Sequence, residues 1–209
     1  MKRWPIIITS LLSTLGIQPA MAEHQHLLVD GENLLVSGPF ELTIPRPPGA
    51  EFANVQNSHT NFGMEKLQTS RGGFFVDDRI LIIEIETTDA PAGTINYEGM
   101  AMIELAGLQL PSRAACLPVT SEQIQADDEP LLEFMEHIGF DPRPGLYGRQ
   151  LFLANKDGTG EGIALYAKRV DDCTNISDAE LDVFEMQFEA FVKRVREANP
   201  QADTRRFED

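Results

Sequence analysis

The sequence predicts an α+β fold: a single domain in which two main helices pack on an antiparallel β-sheet and one disulfide staples the chain. Three observations predict it. Strand patterns dominate the first half of the chain, and two amphipathic helices and a hairpin follow in the second half. The chain also contains two cysteines, Cys116 and Cys173, which can form one disulfide. An apolar share of 42% with 24% charged residues is typical of a folded domain rather than a disordered chain.

The first 22 residues predict a cleavable signal peptide. Lys2 and Arg3 precede a mostly apolar run over 4–17, and Ala-Met-Ala at 20–22 is the small-x-small pattern that signal peptidase cuts. The apolar run is shorter than the about 20 residues that a membrane span needs. We therefore expect a periplasmic or extracellular protein with no membrane span after cleavage; an uncleaved anchor is the alternative.

After cleavage, the chain is expected to form one α+β domain over residues 23–199, followed by a disordered tail over 200–209. Residues 33–37 form a short apolar run, and apolar and polar residues alternate over 40–44, so both segments predict strands. Residues 50–62 are weakly patterned and rich in asparagine, and they predict a loop.

The strongest strand prediction covers Arg79–Thr88, whose isoleucines and leucine give way to Glu84, Ile85 and Glu86. Its continuous apolar start favours a central place in the sheet. Residues 74–76 precede it as a shorter strand, with a turn at Asp77 and Asp78, and residues 94–105 predict one or two further strands after a turn at 89–93.

The first main helix is predicted to begin near Pro130 and to carry apolar residues to Ile138, with Gly139 in the left-handed position after its last turn. Thr120 and Gln123 form a small capping box over one helical turn before it. After this helix, residues 149–154 and 162–170 predict a β-hairpin, because the loop between them is dense in turn-forming residues.

The second main helix carries the most complete set of signals. Ser177 and Glu180 form a capping box, and basic residues in the last turns match the helix dipole. One face is apolar along its whole length, and we expect that face to lie across the sheet. The residues of this face are Leu181, Phe184, Phe188, Phe191 and Val195. Asn199 and Pro200 end the helix.

Two cysteines, Cys116 and Cys173, remain in the mature chain, and in an oxidising compartment they are most simply interpreted as a disulfide. Neither belongs to a Cys-x-x-Cys pair. The formal charge of −16 argues against nucleic acid as a partner, because phosphate binding requires clustered lysine and arginine.

No sequence motif indicates a reaction, so we predict no catalytic residue, no cofactor and no metal site. A Gly-x-Ser-x-Gly elbow and a His-Glu-x-x-His helix are both absent from the sequence. His24 and His26, with the new α-amino group of Glu23, form an alternative Cu²⁺ or Zn²⁺ site, against the default of a mobile chain end. A carboxylate beside His59 or His137 would favour an enzyme.

Three weaker patterns each have a structural interpretation that we prefer. Residues 157–162 suggest a cation or phosphate loop but fit a hairpin turn. Arg71 with two following glycines suggests an anion site but fits a flexible turn. Tyr147 and Tyr166 suggest a groove but fit buried aromatics of a sheet.

The sequence therefore favours a non-catalytic binding or accessory module that is periplasmic and has an unknown protein or small-molecule partner. The alternatives are a small secreted enzyme whose site assembles only in three dimensions, and a copper or zinc carrier that uses the N-terminal histidines. A shallow surface with no enclosed polar pocket would favour the module.

Overall fold

The predicted α+β fold class is wrong, because the chain is mostly β. In the computed structural model, ten strands form a three-stranded and a seven-stranded sheet, both antiparallel. The described residues are 26–37, 41–62, 65–88, 97, 99–125, 130–154 and 159–200.

Several sequence predictions lie outside the described residues. They are the signal peptide at 1–22, His24, the turn at 89–93 and, except for Pro200, the C-terminal tail. These remain predictions, as do the boundaries of the single domain. No helix in the described ranges is both long enough and apolar enough to cross a membrane.

The small sheet contains β1 (Leu27–Asp30), β2 (Asn33–Val36) and β3 (Leu42–Pro45) in that order. The large sheet has the order β4-β5-β6-β10-β9-β8-β7. Its strands are β4 (Glu51–Phe62), β5 (Glu65–Val76), β6 (Arg79–Thr88), β7 (Ala101–Leu105), β8 (Leu108–Pro118), β9 (Gly145–Ala154) and β10 (Gly160–Arg169). The helices are α1 (Ser121–Gln125), α2 (Pro130–His137) and α3 (Asp178–Ala198).

Strands that were not predicted explain the error in fold class, and β4 and β8 are two of them. The predicted loop at 50–62 is β4, a strand of 12 residues at the edge of the large sheet. Asn57, Ser58 and His59 on this strand are exposed. An edge strand that faces water carries polar side chains, so it lacks the hydrophobic alternation by which strands are recognised. β8, which spans 11 residues, was likewise not predicted.

β6 has the predicted bounds and lies between β5 and β10. Because side chains alternate across a sheet, Ile80 and Ile82 face one side, and Leu81, Ile83 and Ile85 face the other. All five are buried, in two different apolar clusters. The large sheet therefore has a packed core on both faces.

α3 and the small sheet cover one face. The predicted capping box is present: the backbone N–H of Glu180 donates to Ser177 Oγ at 3.3 Å, and that of Ser177 donates to Glu180 Oε2 at 3.0 Å. Four of the five predicted face residues are buried, and Leu181 is half-buried. At the helix end, Asn199 exchanges two hydrogen bonds with the backbone of Thr43, which attaches α3 to β3.

α1 and α2 pack on the opposite face. Phe134 and Met135 of α2 join Ile80 and Ile82 of β6 in the second apolar cluster. As predicted, Gly139 adopts a positive φ of 83° after the last turn. The two main helices thus lie on opposite faces of the sheet.

The predicted disulfide between Cys116 and Cys173 is confirmed, with an S–S distance of 2.03 Å. It connects β8 to the segment that precedes α3, across a sequence separation of 57 residues. The predicted hairpin is also confirmed as β9 and β10, which pair directly.

Candidate functional site

The face of β6 that α2 covers changes from apolar to charged along the strand. Ile82 is followed on the same face by Glu84 and Glu86, since alternate residues share a face. In the sheet register, Arg71 of β5 lies opposite Glu84, and Glu161 of β10 lies opposite Glu86. Three carboxylates and one guanidinium therefore come from three adjacent strands onto one surface.

Arg71, Glu84 and Glu86 border a cleft of about 280 Å³, which we name the acidic cleft, and Glu161 lies beside it, opposite Glu86. Arg71, Glu84, Glu86 and Gln150 form its polar wall. Its apolar lining comes from β6, β10 and the start of α2, through Ile82, Ile163, Leu165, Pro130 and Leu131. The cleft is open to solvent on one side and combines a charged wall with an apolar one.

Arg71 compensates only part of the negative charge. It forms an ion pair with Glu84, and the two side chains are only 14% and 15% exposed. Charged side chains that are buried to this extent require a partner of opposite charge, because the transfer of an isolated charge out of water costs free energy. Glu84 has that partner, whereas Glu86 stands between Glu84 and Glu161, two groups of its own sign.

The pKa of Glu86 is raised from 4.5 to about 7. Desolvation by burial is the largest cause, followed by repulsion from the charges of Glu84 and Glu161 and a hydrogen bond with Glu84, while Arg71 opposes the shift. The Glu86 carboxyl consequently holds its proton up to about neutral pH. A carboxyl with such a pKa in a cleft marks a candidate functional site.

Tyr97 and Phe152 extend the surface beyond Glu161. The Tyr97 hydroxyl donates a hydrogen bond to Glu161 Oε1 at 2.8 Å, and its ring lies against Phe152 with 5.5 Å between centroids. The guanidinium of Arg113 lies over the ring of Phe152, 5.7 Å from its centroid. The carboxylate of Glu161 is therefore held in place beside Glu86, where it accepts the hydrogen bond of Tyr97.

His26, His59 and His137, the described histidines, do not line this cleft. His26 is buried, with Nδ1 3.2 Å from the carbonyl oxygen of Ser37 and Nε2 3.1 Å from the Thr87 hydroxyl. Both ring nitrogens are thus engaged, and the contact with Thr87 of β6 connects the residue before β1 to the large sheet. His59 is exposed on β4, and His137 is exposed at the end of α2.

A metal site at the N-terminus finds no support in the position of His26. Within the described ranges, no group of three or more His, Cys, Asp or Glu side chains is placed to hold a metal ion. The two N-terminal groups that would complete the predicted site, His24 and the amino group of Glu23, lie outside those ranges.

The segment at Arg71 is a strand rather than the flexible turn that we expected. Arg71 pairs with Glu84 and so is not a free anion-binding group. Gly73 is required by close strand contact, because a Cβ there would overlap the carbonyl oxygen of Leu81. In the 157–162 loop, residues 157 and 158 are not described, and Gly160 begins β10.

Tyr147 and Tyr166 are packed aromatics, as the preferred interpretation held. Their rings lie 4.8 Å and 5.5 Å from that of Phe184 on α3. Tyr147 is half-buried and Tyr166 is buried. Both therefore contribute to the packing of the helix on the sheet.

Glu84 and Glu86 were not predicted as site residues from the sequence. The available signal was their spacing: two carboxylates at positions i and i+2 of a strand predicted to be central must share one face. Comparisons with protein-family models, curated proteins and solved structures find no match for this chain. An assignment of function therefore depends on the geometry of the site.

Proposed function

We propose that this chain is an exported, non-catalytic binding module that holds an organic cation with an apolar body in the acidic cleft. The observation that carries the proposal is the position of Glu86, half-buried between Glu84 and Glu161 with a pKa of about 7. A cation placed between these carboxylates relieves their repulsion and favours the ionised form of Glu86.

The composition of the lining supports an organic cation rather than a bare ion. One wall of the cleft is apolar, so a hydrocarbon body loses contact with water when it lies there. A cavity of about 150 Å³ accommodates benzene, and the acidic cleft, at about 280 Å³, has room for a ring with a short charged chain.

The residues of the cleft support binding rather than catalysis. Its described lining contains carboxylates, one arginine and one glutamine beside apolar side chains, with no serine, cysteine, lysine or histidine among them. A nucleophile activated by a neighbouring base, the arrangement of covalent catalysis, is therefore missing from the described lining.

Export to the periplasm is supported by two independent features. The N-terminal sequence has the basic start, apolar run and Ala-Met-Ala end of a signal peptide. The Cys116–Cys173 disulfide is of the kind that persists in oxidising compartments.

The proposal is tested by calorimetric titration with phenethylamine, a cation with an aromatic body, and with the neutral 2-phenylethanol. We expect phenethylamine to bind at one site, about tenfold more tightly at pH 8 than at pH 6, because Glu86 ionises between these values. We expect 2-phenylethanol to bind at least tenfold more weakly at pH 8.

Two variants make the test specific. Glu86→Gln removes the ionising group and should abolish the pH dependence of binding. Glu133→Gln changes an exposed carboxylate on α2 that does not line the cleft, and it should leave both affinities unchanged. Equal affinity for the alcohol and the amine, or an unaltered pH dependence in Glu86→Gln, would contradict the proposal.

Acid–base catalysis at Glu86 is a second candidate function, favoured by its pKa of about 7, which suits a group that gives and takes protons at neutral pH. Ring opening of 5-nitrobenzisoxazole, in which a base removes the ring C–H proton as the N–O bond breaks to give 2-cyano-4-nitrophenolate, distinguishes the two. Equal rates in the parent and Glu86→Gln support binding alone, and a rate that is lost in Glu86→Gln supports catalysis.

A further inference from the structure

A second cleft lies on the α3 face of the large sheet, on the opposite side from the acidic cleft. It has a volume of about 140 Å³ and is formed where α3 meets β5, the start of β6, β10 and the segment before β4. Pro47, Pro48 and Phe74 provide apolar lining. The polar side chains that line it include two arginines, Arg79 and Arg194. We name it the arginine cleft.

Two polar atoms in this cleft are buried and have no hydrogen-bond partner among the described residues. They are Nε of Arg194 and Oε1 of Gln187. The two residues lie two turns apart on α3, so their side chains share one face of the helix. A buried polar group without a partner destabilises the fold unless something else satisfies it.

The positive charge of Arg194 is also uncompensated. In the described part of the chain, no carboxylate lies within 4 Å of its guanidinium, whereas Arg71 and Arg149 each pair with a glutamate. Arg79 contacts Asp78 at 3.8 Å and hydrogen-bonds the Tyr166 side chain, and Lys168 contacts the same Asp78 carboxylate. The net charge of the chain is −16, so this cluster of positive side chains is opposite in sign to the chain as a whole.

The charges of Arg79 and Arg194 converge on the hydroxyl of Tyr166, whose ring is stacked on Phe191 at 5.5 Å between centroids. The tyrosine is held on its other sides by Phe184 and Phe188. A rigid aromatic wall and two guanidinium groups therefore border the same small space.

We propose that the arginine cleft binds a small monocarboxylate with an apolar body. Guanidinium groups match a carboxylate in shape and charge. Rotation of the Gln187 amide by half a turn brings its NH2 group to the position of the unpartnered Oε1, where it can donate a further hydrogen bond to the carboxylate. A cavity of about 150 Å³ holds one benzene ring, so the cleft, at about 140 Å³, fits a single aromatic ring or a short branched chain. The proline and phenylalanine side chains then cover that body.

The test is calorimetric titration of the full chain at constant ionic strength with three probes: sodium benzoate, the neutral benzamide, and acetate, which lacks the apolar body. We expect benzoate to bind at one site and the other two at least tenfold more weakly, because each lacks one of the two recognised features. If benzoate does not bind, or if benzamide or acetate binds as tightly, the proposal is wrong.

Arg194→Met keeps most of the apolar stem and removes the charge. It should weaken benzoate binding about tenfold or more while changing the melting temperature little. The matched control is Arg196→Met on the same helix, where the side chain is 54% exposed and does not line the cleft. Binding of benzoate by Arg194→Met with the parent's affinity would overturn the assignment.

If Arg194→Met does not fold, as judged by circular dichroism, Gln187→Met provides the same test. It removes the second unpartnered group and should also weaken benzoate binding, and unchanged affinity would count against the proposal. These outcomes concern the α3 face only, so they are distinguishable from a failure of the acidic cleft to bind amines.

Discussion

Replacing Glu86 by glutamine should stabilise the protein above neutral pH. In the folded chain the carboxyl holds its proton to about pH 7, whereas in the unfolded chain it loses it near the ordinary value of 4.5. Between these values the folded state binds more protons than the unfolded state, so stability falls as pH rises. Glutamine is always neutral and retains a donor for Glu84, so the variant does not share this loss.

The size of the effect follows from the shift. A change from 4.5 to about 7 corresponds to about 3 kcal/mol at 1.36 kcal/mol per pKa unit. Glu86 is only half-buried, and screening by solvent reduces this to about 1–2 kcal/mol. We therefore expect Glu86→Gln to be about 1–2 kcal/mol more stable than the parent at pH 8, a rise of about 2–8 °C in melting temperature.

Urea unfolding at pH 4 and pH 8 measures this directly. At pH 4 the parent carboxyl is mostly protonated in both the folded and the unfolded state, so the parent and Glu86→Gln should differ by less than about 0.5 kcal/mol. Glu133→Gln is the control, since its carboxylate is exposed on α2, and it should show no such dependence on pH. The reasoning is refuted if Glu86→Gln is less stable than the parent at pH 8, or if the difference is equal at both values.

Two further predictions concern the maturation of the chain. The double variant Cys116→Ala, Cys173→Ala lacks the disulfide, and its free energy of unfolding should be about 4 kcal/mol lower than that of the parent, because the disulfide closes a loop of 57 residues. Urea unfolding of the oxidised parent and the variant measures this difference, and equal midpoints would contradict the loop-closure argument. N-terminal sequencing of protein recovered from a periplasmic extract should begin at Glu23, and a chain that retains Met1 within the cytoplasm would exclude export.

Patterns that arise from local chemistry could be predicted from the sequence. The capping box at Ser177 and Glu180 and the left-handed Gly139 depend on a few neighbouring residues, and both are present. β6 was predicted with its bounds because its start is buried on both faces and is continuously apolar. Burial on both faces leaves a clear sequence signal.

The strands that set the fold class could not be predicted in the same way. β4 pairs along its length with β5, but its exposed Asn57, Ser58 and His59 give no hydrophobic period. Its pairing is provided by backbone hydrogen bonds, which do not depend on side-chain polarity. The β content of the chain was therefore underestimated at the edge of the sheet that faces water.

The acidic cleft was hidden for a different reason. Arg71 and Glu161 lie 13 positions before Glu84 and 75 positions after Glu86 in the sequence, and only the register of β5, β6 and β10 brings them together. Register depends on the whole sheet and not on local residue type. The arginine cleft has the same character, since Arg79 and Arg194 belong to a strand and a distant helix.

The position of the acidic cleft follows from the length of the helix beside it. α2 has eight residues and spans about 12 Å, whereas β6 has ten residues and spans about 33 Å. Such a helix covers Ile80 and Ile82 and does not reach over the full length of the strand. The following positions of β6 on this face can then carry polar side chains, and Glu84 and Glu86 occupy them. Because they begin where the packed core ends, they are half-buried rather than fully hydrated, and this partial burial is what raises the pKa of Glu86.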